Sequence, residues 1–167
     1  VPWQFRILAS VGLIFATSAQ AAAPARDQTG APASLPAGID PAIFQAQVQL
    51  DRAGFAPGII DGKHGRFFVA ALKAFQEARG LEQSGVLDAA SRKALASERA
   101  PTLIRMVLRA QALEASFTPD IPSRIVDQAS LPFLGYRNLL EKLSERFHTS
   151  TDTLLQLNPG LKTPRAG

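Results

Sequence analysis

The first run of helical spacing lies between residues 40 and 54. Its apolar positions fall three and four residues apart, which places them on one face of a helix. These positions are Ile43, Ala46, Leu50 and Ala53. Asp40 can cap this helix through its carboxylate, and Pro41 suits the first helical position, where a missing N–H costs nothing. Gly54 is expected to end the helix, as a glycine after the last turn commonly does.

Two further helices are predicted before residue 98. The second runs from about residue 66 to residue 79 and ends at Gly80, and the third spans residues 89–97 with Asp88 as its cap. Their inward-facing residues are predicted to be Phe68, Ala71, Leu72, Phe75, Ala94 and Leu95. Three short helices joined by glycine-containing turns would enclose a core of about 55 residues, near the lower size limit for independent stability.

The C-terminal third combines an ambiguous segment with a helix pair. Residues 102–110 alternate apolar and other side chains, which suits a strand, although the same residues would also make a fair helix. Residues 117–122 are expected to be extended because two prolines bracket them, and residues 125–129 to form a short helical turn. Two helices then follow, the second capped by Ser150. Their inward-facing residues are predicted to be Leu139, Leu143, Phe147, Leu154 and Leu157.

Residues 1–21 have the pattern of an export signal. Arg6 gives a positive start, an uncharged apolar run covers residues 7–16, and the small residues Ala19 and Ala21 match a signal-peptidase site. A membrane anchor is the alternative, but the run is shorter than the about 20 residues that a helix needs to cross a bilayer. We therefore expect cleavage after Ala21, export to the periplasm or cell envelope, and no membrane attachment afterwards.

Composition narrows the classes of function. Residues 22–38 are rich in Ala, Pro, Gly and Ser and predict a flexible linker. The chain has no Cys, which excludes a disulfide framework, a Cys-ligated zinc site and a cysteine nucleophile. Because it has only two His, we also expect no metal and no cofactor. The 18 basic and 14 acidic residues give a net charge of +4. Because the basic residues are scattered, nucleic acid is not an expected partner, whereas a mild positive field suits an anionic polymer.

Glycines and core positions between residues 43 and 95 occur in a fixed order. The ordered set is Gln47, Leu50, Gly54-Phe55, Gly58-Ile59-Ile60-Asp61-Gly62, Gly65, Ala71-Leu72, Phe75-Gln76, Gly80-Leu81, Gly85-Val86-Leu87-Asp88 and Ala94-Leu95. This set resembles the peptidoglycan-binding domain, a three-helix module of many bacterial cell-wall hydrolases and transpeptidases. The resemblance implies a mainly α domain over residues 39–98, with peptidoglycan as its partner. The sequence departs from the family in two places. Phe67 and Phe68 replace a polar pair that caps the second helix, and His64 replaces an apolar or aromatic residue. Loss of the cap should destabilise the start of the second helix by about 1 kcal/mol.

The C-terminal helix pair carries a second resemblance. The order L-x-x-x-L-x-x-x-F from Leu139, followed by Ser150, two leucines and Asn158-Pro159-Gly160, is similar to the LysM domain, which packs two helices on a two-stranded sheet and binds N-acetylglucosamine polymers. Because the last strand of that fold is absent, residues 99–167 are interpreted as a linker and an incomplete α+β LysM-like module. Together the segments resemble the non-catalytic front of exported L,D-transpeptidases. The Val start and the end at Gly167 fit a fragment.

Candidate peptidoglycan contacts lie around the second turn and the second helix. The candidate residues are Asp61, Lys63, His64, Arg66, Phe67 and Gln76. The polar side chains of the turn can hydrogen-bond sugar hydroxyls or stem-peptide carboxylates, and the alternative is a solvated turn. Phe67 is either an exposed platform for a sugar face or a core or interdomain residue. Gln76 can also satisfy backbone groups of the adjoining loop.

No catalytic residue is expected in this sequence. Asp61 and Asp88 could be taken as a carboxylate pair for glycoside cleavage, but their turn and cap positions already explain both. Ser150 has no histidine placed to activate it beyond its near neighbour His148. The predicted function is non-catalytic peptidoglycan binding that targets an exported protein to the murein layer. The alternatives are the N-terminal part of an L,D-transpeptidase, whose own catalytic domain would be a partner, and a protein-docking module.

Overall fold

The computed structural model describes residues 4–8, 35–96, 100–108 and 117–159. In this part of the chain the protein is mainly helical, as predicted. The helices are α1 (Pro41–Arg52), α2 (Arg66–Ala78), α3 (Ala89–Leu95), α4 (Ile125–Gln128), α5 (Leu139–Arg146) and α6 (Thr151–Leu157). The strands are β1 (Gln4–Leu8) and β2 (Leu103–Val107).

Side-chain caps fix the starts of three helices where the sequence predicts them. The carboxylate of Asp40 accepts from the backbone N–H groups of Ala42 and Ile43 at 2.8 and 3.0 Å. Asp88 caps α3 and Ser150 caps α6 in the same way. Helix α2 begins after Gly65 without a side-chain cap, which confirms the predicted loss. Its stability therefore depends on the packing of its apolar face.

Helix α1 is buried on two faces. The predicted face, which includes Ala46 and Leu50, packs with α2 and α3 in a first core. The other residues of that core are Phe68, Ala71, Leu72, Phe75 and Leu95. Phe44 and Val48 lie on the second face and are fully buried in a second core with α5 and α6. The peptidoglycan-binding segment and the LysM-like segment, which are predicted as separate modules, therefore share α1. The predicted domain boundaries stay a prediction.

Hydrogen bonds reinforce the second core at the turn between α5 and α6. The N–H of Ile60 donates to the carbonyl of His148 at 2.8 Å, and the hydroxyl of Thr149 donates to the carbonyl of Ile60 at 2.6 Å. The imidazole Nδ1 of His148 lies 2.8 Å from the carboxylate of Asp51 on α1. Ile60 itself is fully buried in the second core. The loop after α1 is therefore held against the C-terminal helix pair by both apolar packing and polar contacts.

The ambiguous segment of residues 102–110 contains strand β2, which pairs antiparallel with β1. The register places Gln4 opposite Val107 and Leu8 opposite Leu103. Strand β1 falls within the predicted export signal and its backbone lies near α6. The helix pair of the LysM-like interpretation is present, but the partner strand comes from the other end of the chain, so the α+β module is not confirmed. Most of the predicted linker, and the residues after Pro159, lie outside the described ranges.

Truncation of Phe147 tests whether the two segments share one core. Phe147 is 2% exposed, and Phe147→Ala should lower the free energy of unfolding by about 3–5 kcal/mol. It should also speed hydrogen exchange at the Ile60 amide, whose acceptor is the adjacent carbonyl of His148. Phe133→Ala is the control, because Phe133 is 47% exposed and should change stability far less. Unchanged exchange at Ile60 in a destabilised Phe147→Ala chain would show that the two segments are independent.

The cap of α3 predicts a pH dependence of stability. The backbone N–H and the hydroxyl of Ser91 hold the pKa of Asp88 below its ordinary value of 3.8. Because the folded pKa is the lower one, the contribution of Asp88 is complete above 3.8 and is lost as the pH falls through the folded pKa. Asp88→Asn keeps a capping oxygen without this titration. Urea midpoints should therefore fall less in the variant than in the wild type on acidification; equal losses would contradict this assignment.

Candidate functional site

One buried side chain organises the loop after α1. Gln47 is 1% exposed, and its amide oxygen accepts from the backbone N–H groups of Asp61 and Gly62 at 3.1 and 2.7 Å. Its amide nitrogen lies 3.2 Å from the carbonyls of Ile59 and Lys63 and from the carboxylate of Asp61. Residues 59–63 therefore wrap around a single amide. The sequence motif contains Gln47, but its role as the centre of the loop was missed.

Two glycines allow the loop to close against its neighbours. A Cβ on Gly62, whose φ is +71°, would lie 2.5 Å from the side chain of Ile39 and 3.1 Å from the backbone N of Asp40. A Cβ on Gly58, whose φ is +80°, would lie 3.0 Å from the Cβ of Phe67. Both positions combine a left-handed backbone with close contact, which only glycine tolerates without strain. The second contact seats Phe67 against the loop.

The first residues of α2 put an aromatic ring and several polar groups on the surface. Phe67 is 58% exposed, and the guanidinium carbon of Arg66 lies 4.7 Å from its ring centroid. His64 is exposed and makes an edge contact with the ring of Phe68, with centroids 5.5 Å apart. Phe68 itself is fully buried in the first core. The ring of Phe67 is therefore exposed and is not a core residue.

The structure brings four of the six candidate residues together on an exposed surface. We call Lys63, His64, Arg66 and Phe67 the loop surface. Asp61 is half-buried below it, and its carboxylate accepts from the N–H of Lys63 at 2.9 Å, as in a turn-forming aspartate. The loop surface thus combines an apolar ring with positive charge.

Gln76 is not part of the loop surface. It is fully buried, and its amide oxygen accepts from the N–H of Gly85 at 2.9 Å. Its amide nitrogen donates to the carbonyl of Val86 and to the hydroxyl of Ser91 at 3.0 and 2.9 Å. As a peptidoglycan contact Gln76 is therefore misplaced, because no part of it reaches the surface. Its other predicted role, satisfying the backbone of the adjoining loop, is what the structure shows.

The acidic residues considered for catalysis have structural partners. Asp61 closes a turn, and the carboxylate of Asp88 accepts from the N–H of Ser91 at 2.7 Å. In the ranges that the structure describes, no group of three or more His, Asp or Glu side chains could hold a metal ion. A helix long and apolar enough to cross a membrane is likewise not found among the described residues.

A family model matches the segment that carries this loop. Residues 40–95 match the peptidoglycan binding domain. The match covers α1, α2 and α3, about a third of the chain, and includes the whole loop surface. The family is a binding domain rather than a catalytic one, and it associates this segment with the cell envelope. Among curated proteins no match was found. The LysM-like and L,D-transpeptidase resemblances gain no support and stay predictions.

Replacement of Gln47 tests its place at the centre of the loop. Gln47→Leu keeps the side-chain volume but leaves the buried N–H of Gly62 and the half-buried N–H of Asp61 without an acceptor. Each such group costs about 1–3 kcal/mol, so the free energy of unfolding should fall by at least about 2 kcal/mol. Gln45→Leu is the matched control on α1, because Gln45 is exposed. Equal urea midpoints for the two variants would mean that the amide contacts do not hold the loop.

Proposed function

We propose that this protein is a non-catalytic binding module that holds an exported protein at the peptidoglycan layer. The observation that carries the proposal is the exposed Phe67 ring with the Arg66 guanidinium beside it, within the segment that matches the peptidoglycan binding domain. An exposed aromatic ring beside a cation offers an apolar face for a sugar ring next to a hydrogen-bond donor. The loop surface is the place where we expect the polymer to bind.

The chemistry of the loop surface suits a sugar polymer that also carries carboxylates. The C–H face of a sugar ring can pack on Phe67, while Lys63 and Arg66 are exposed and positively charged. His64 adds a ring nitrogen for hydrogen bonds to hydroxyl groups. The backbone beneath is fixed by Gln47, so little ordering of the loop is needed on binding.

Export is the second part of the proposal and rests on the sequence. The positive, apolar and small-residue parts of residues 1–21 follow each other as in a secretory signal. Peptidoglycan lies outside the cytoplasmic membrane, so a protein that binds it needs such a signal. We therefore place the processed protein in the periplasm or cell envelope.

Retention on purified peptidoglycan sacculi tests the proposed function. The full chain should cosediment with sacculi, and Phe67→Ala should weaken this binding about tenfold, equivalent to about 1.4 kcal/mol. Because Phe67 is mostly exposed, the variant should keep its urea midpoint nearly unchanged. The matched control is Phe133→Ala, which removes another half-exposed ring outside the matched segment and should bind like the wild type.

Two outcomes would contradict different parts of the proposal. If the wild-type chain stays in the supernatant at low salt, peptidoglycan binding is not its function. Retention of the wild type with equal retention of Phe67→Ala would leave the function in place but exclude Phe67 from the contact surface.

A further inference from the structure

A second surface feature lies at the opposite end of α2 from the loop surface. A shallow, open depression is lined by Arg79, Leu81, Ala90, Lys93 and Ala94. Arg79 follows the last residue of α2, and the other residues come from the next loop and from α3. From Phe67 to Arg79 the helix rises by roughly 18 Å, so the two surfaces are distinct. We call this feature the α2–α3 depression.

Two positive charges border the depression without ion-pair partners. Neither Arg79 nor Lys93 forms a salt bridge with any residue that the structure describes. The guanidinium carbon of Arg79 lies 5.4 Å from the ring centroid of Phe75, a contact that orients the side chain. No carboxylate is among the lining residues. The depression therefore presents positive charge toward whatever enters it.

The remaining lining residues are small or apolar. Leu81 is partly buried, and Ala90 and Ala94 contribute methyl groups one helical turn apart on α3. Such a floor fits a methyl group. A ligand that matches both features carries a carboxylate next to a small apolar side chain.

We propose that the α2–α3 depression binds the carboxylate end of a peptidoglycan stem peptide. Arg79 and Lys93 pair with the carboxylate, and the floor formed by Leu81, Ala90 and Ala94 takes the methyl group of a terminal alanine. This inference rests on the proposed function and deepens it: glycan packs on the loop surface and peptide enters the depression. One chain would then contact both components of the polymer, and the two contacts would reinforce each other.

A titration with a free stem tetrapeptide ending in alanine tests this inference. Methyl NMR signals of Leu81, Ala90 and Ala94 in the full chain should shift with the peptide. The same peptide with an amidated C-terminus should bind at least about tenfold more weakly, because it lacks the charge that the two cations pair with. Binding of the free acid should also weaken as salt is raised, since both cations are exposed.

Charge-removing variants identify the residues involved. Lys93→Gln and Arg79→Gln should each reduce affinity for the free acid several-fold and should have little effect on the amide. Lys73→Gln is the matched control, because Lys73 is an exposed cation of α2 that does not line the depression. Lys93→Gln is decisive if Arg79→Gln disturbs packing on Phe75.

The outcomes separate this inference from the proposed function. Retention on sacculi without any shift of the three methyl signals would overturn the inference and leave peptidoglycan binding standing. Equal affinity for the acid and the amide, or equal loss in Lys93→Gln and Lys73→Gln, would also overturn it. A chain that binds neither sacculi nor peptide would overturn both proposals.

Discussion

The burial of helix α1 on two faces is the constraint on which the described fold depends. Leu50 belongs to the core with α2 and α3, and Phe44 to the core with α5 and α6; both are fully buried. A 12-residue helix exposed on one side would leave about half of its apolar surface in water. Packing on both sides makes α1 the common wall of two small cores, each too small to be stable with much margin by itself. The contacts that hold α5 and α6 in place therefore also support the loop after α1.

Two buried glutamine side chains fix the turns that this scaffold carries. Gln47 on α1 fixes residues 59–63, and Gln76 on α2 fixes the turn around Gly85. In both cases a glutamine supplies hydrogen bonds that the turn cannot make within itself, and the N–H groups of Asp61, Gly62 and Gly85 have an acceptor. The fixed loop lies beside Phe67, the second residue of α2, whose ring stays exposed.

The sequence predicts what depends on local order and misses what depends on distant partners. The cap at Asp40 and the stripe that contains Phe68 follow from spacing alone, and the structure confirms them. Phe44 belongs to no predicted stripe, and most of the buried residues that share its core lie about 100 residues further along the chain. The exposure of Phe67 was left open, because a phenylalanine at this position can be an exposed platform for a sugar face or a core or interdomain residue. Gln76 was assigned two roles because the spacing of polar residues does not show whether a given one is buried or exposed.

The sequence and the structure describe residues 4–8 differently. Residues 4–8 lie in the predicted export signal and also pair with β2. A secretory signal is cleaved from an exported protein, whereas a paired strand is part of the fold. Among the described residues the sheet has two strands, so β2 depends on residues 4–8 for its pairing.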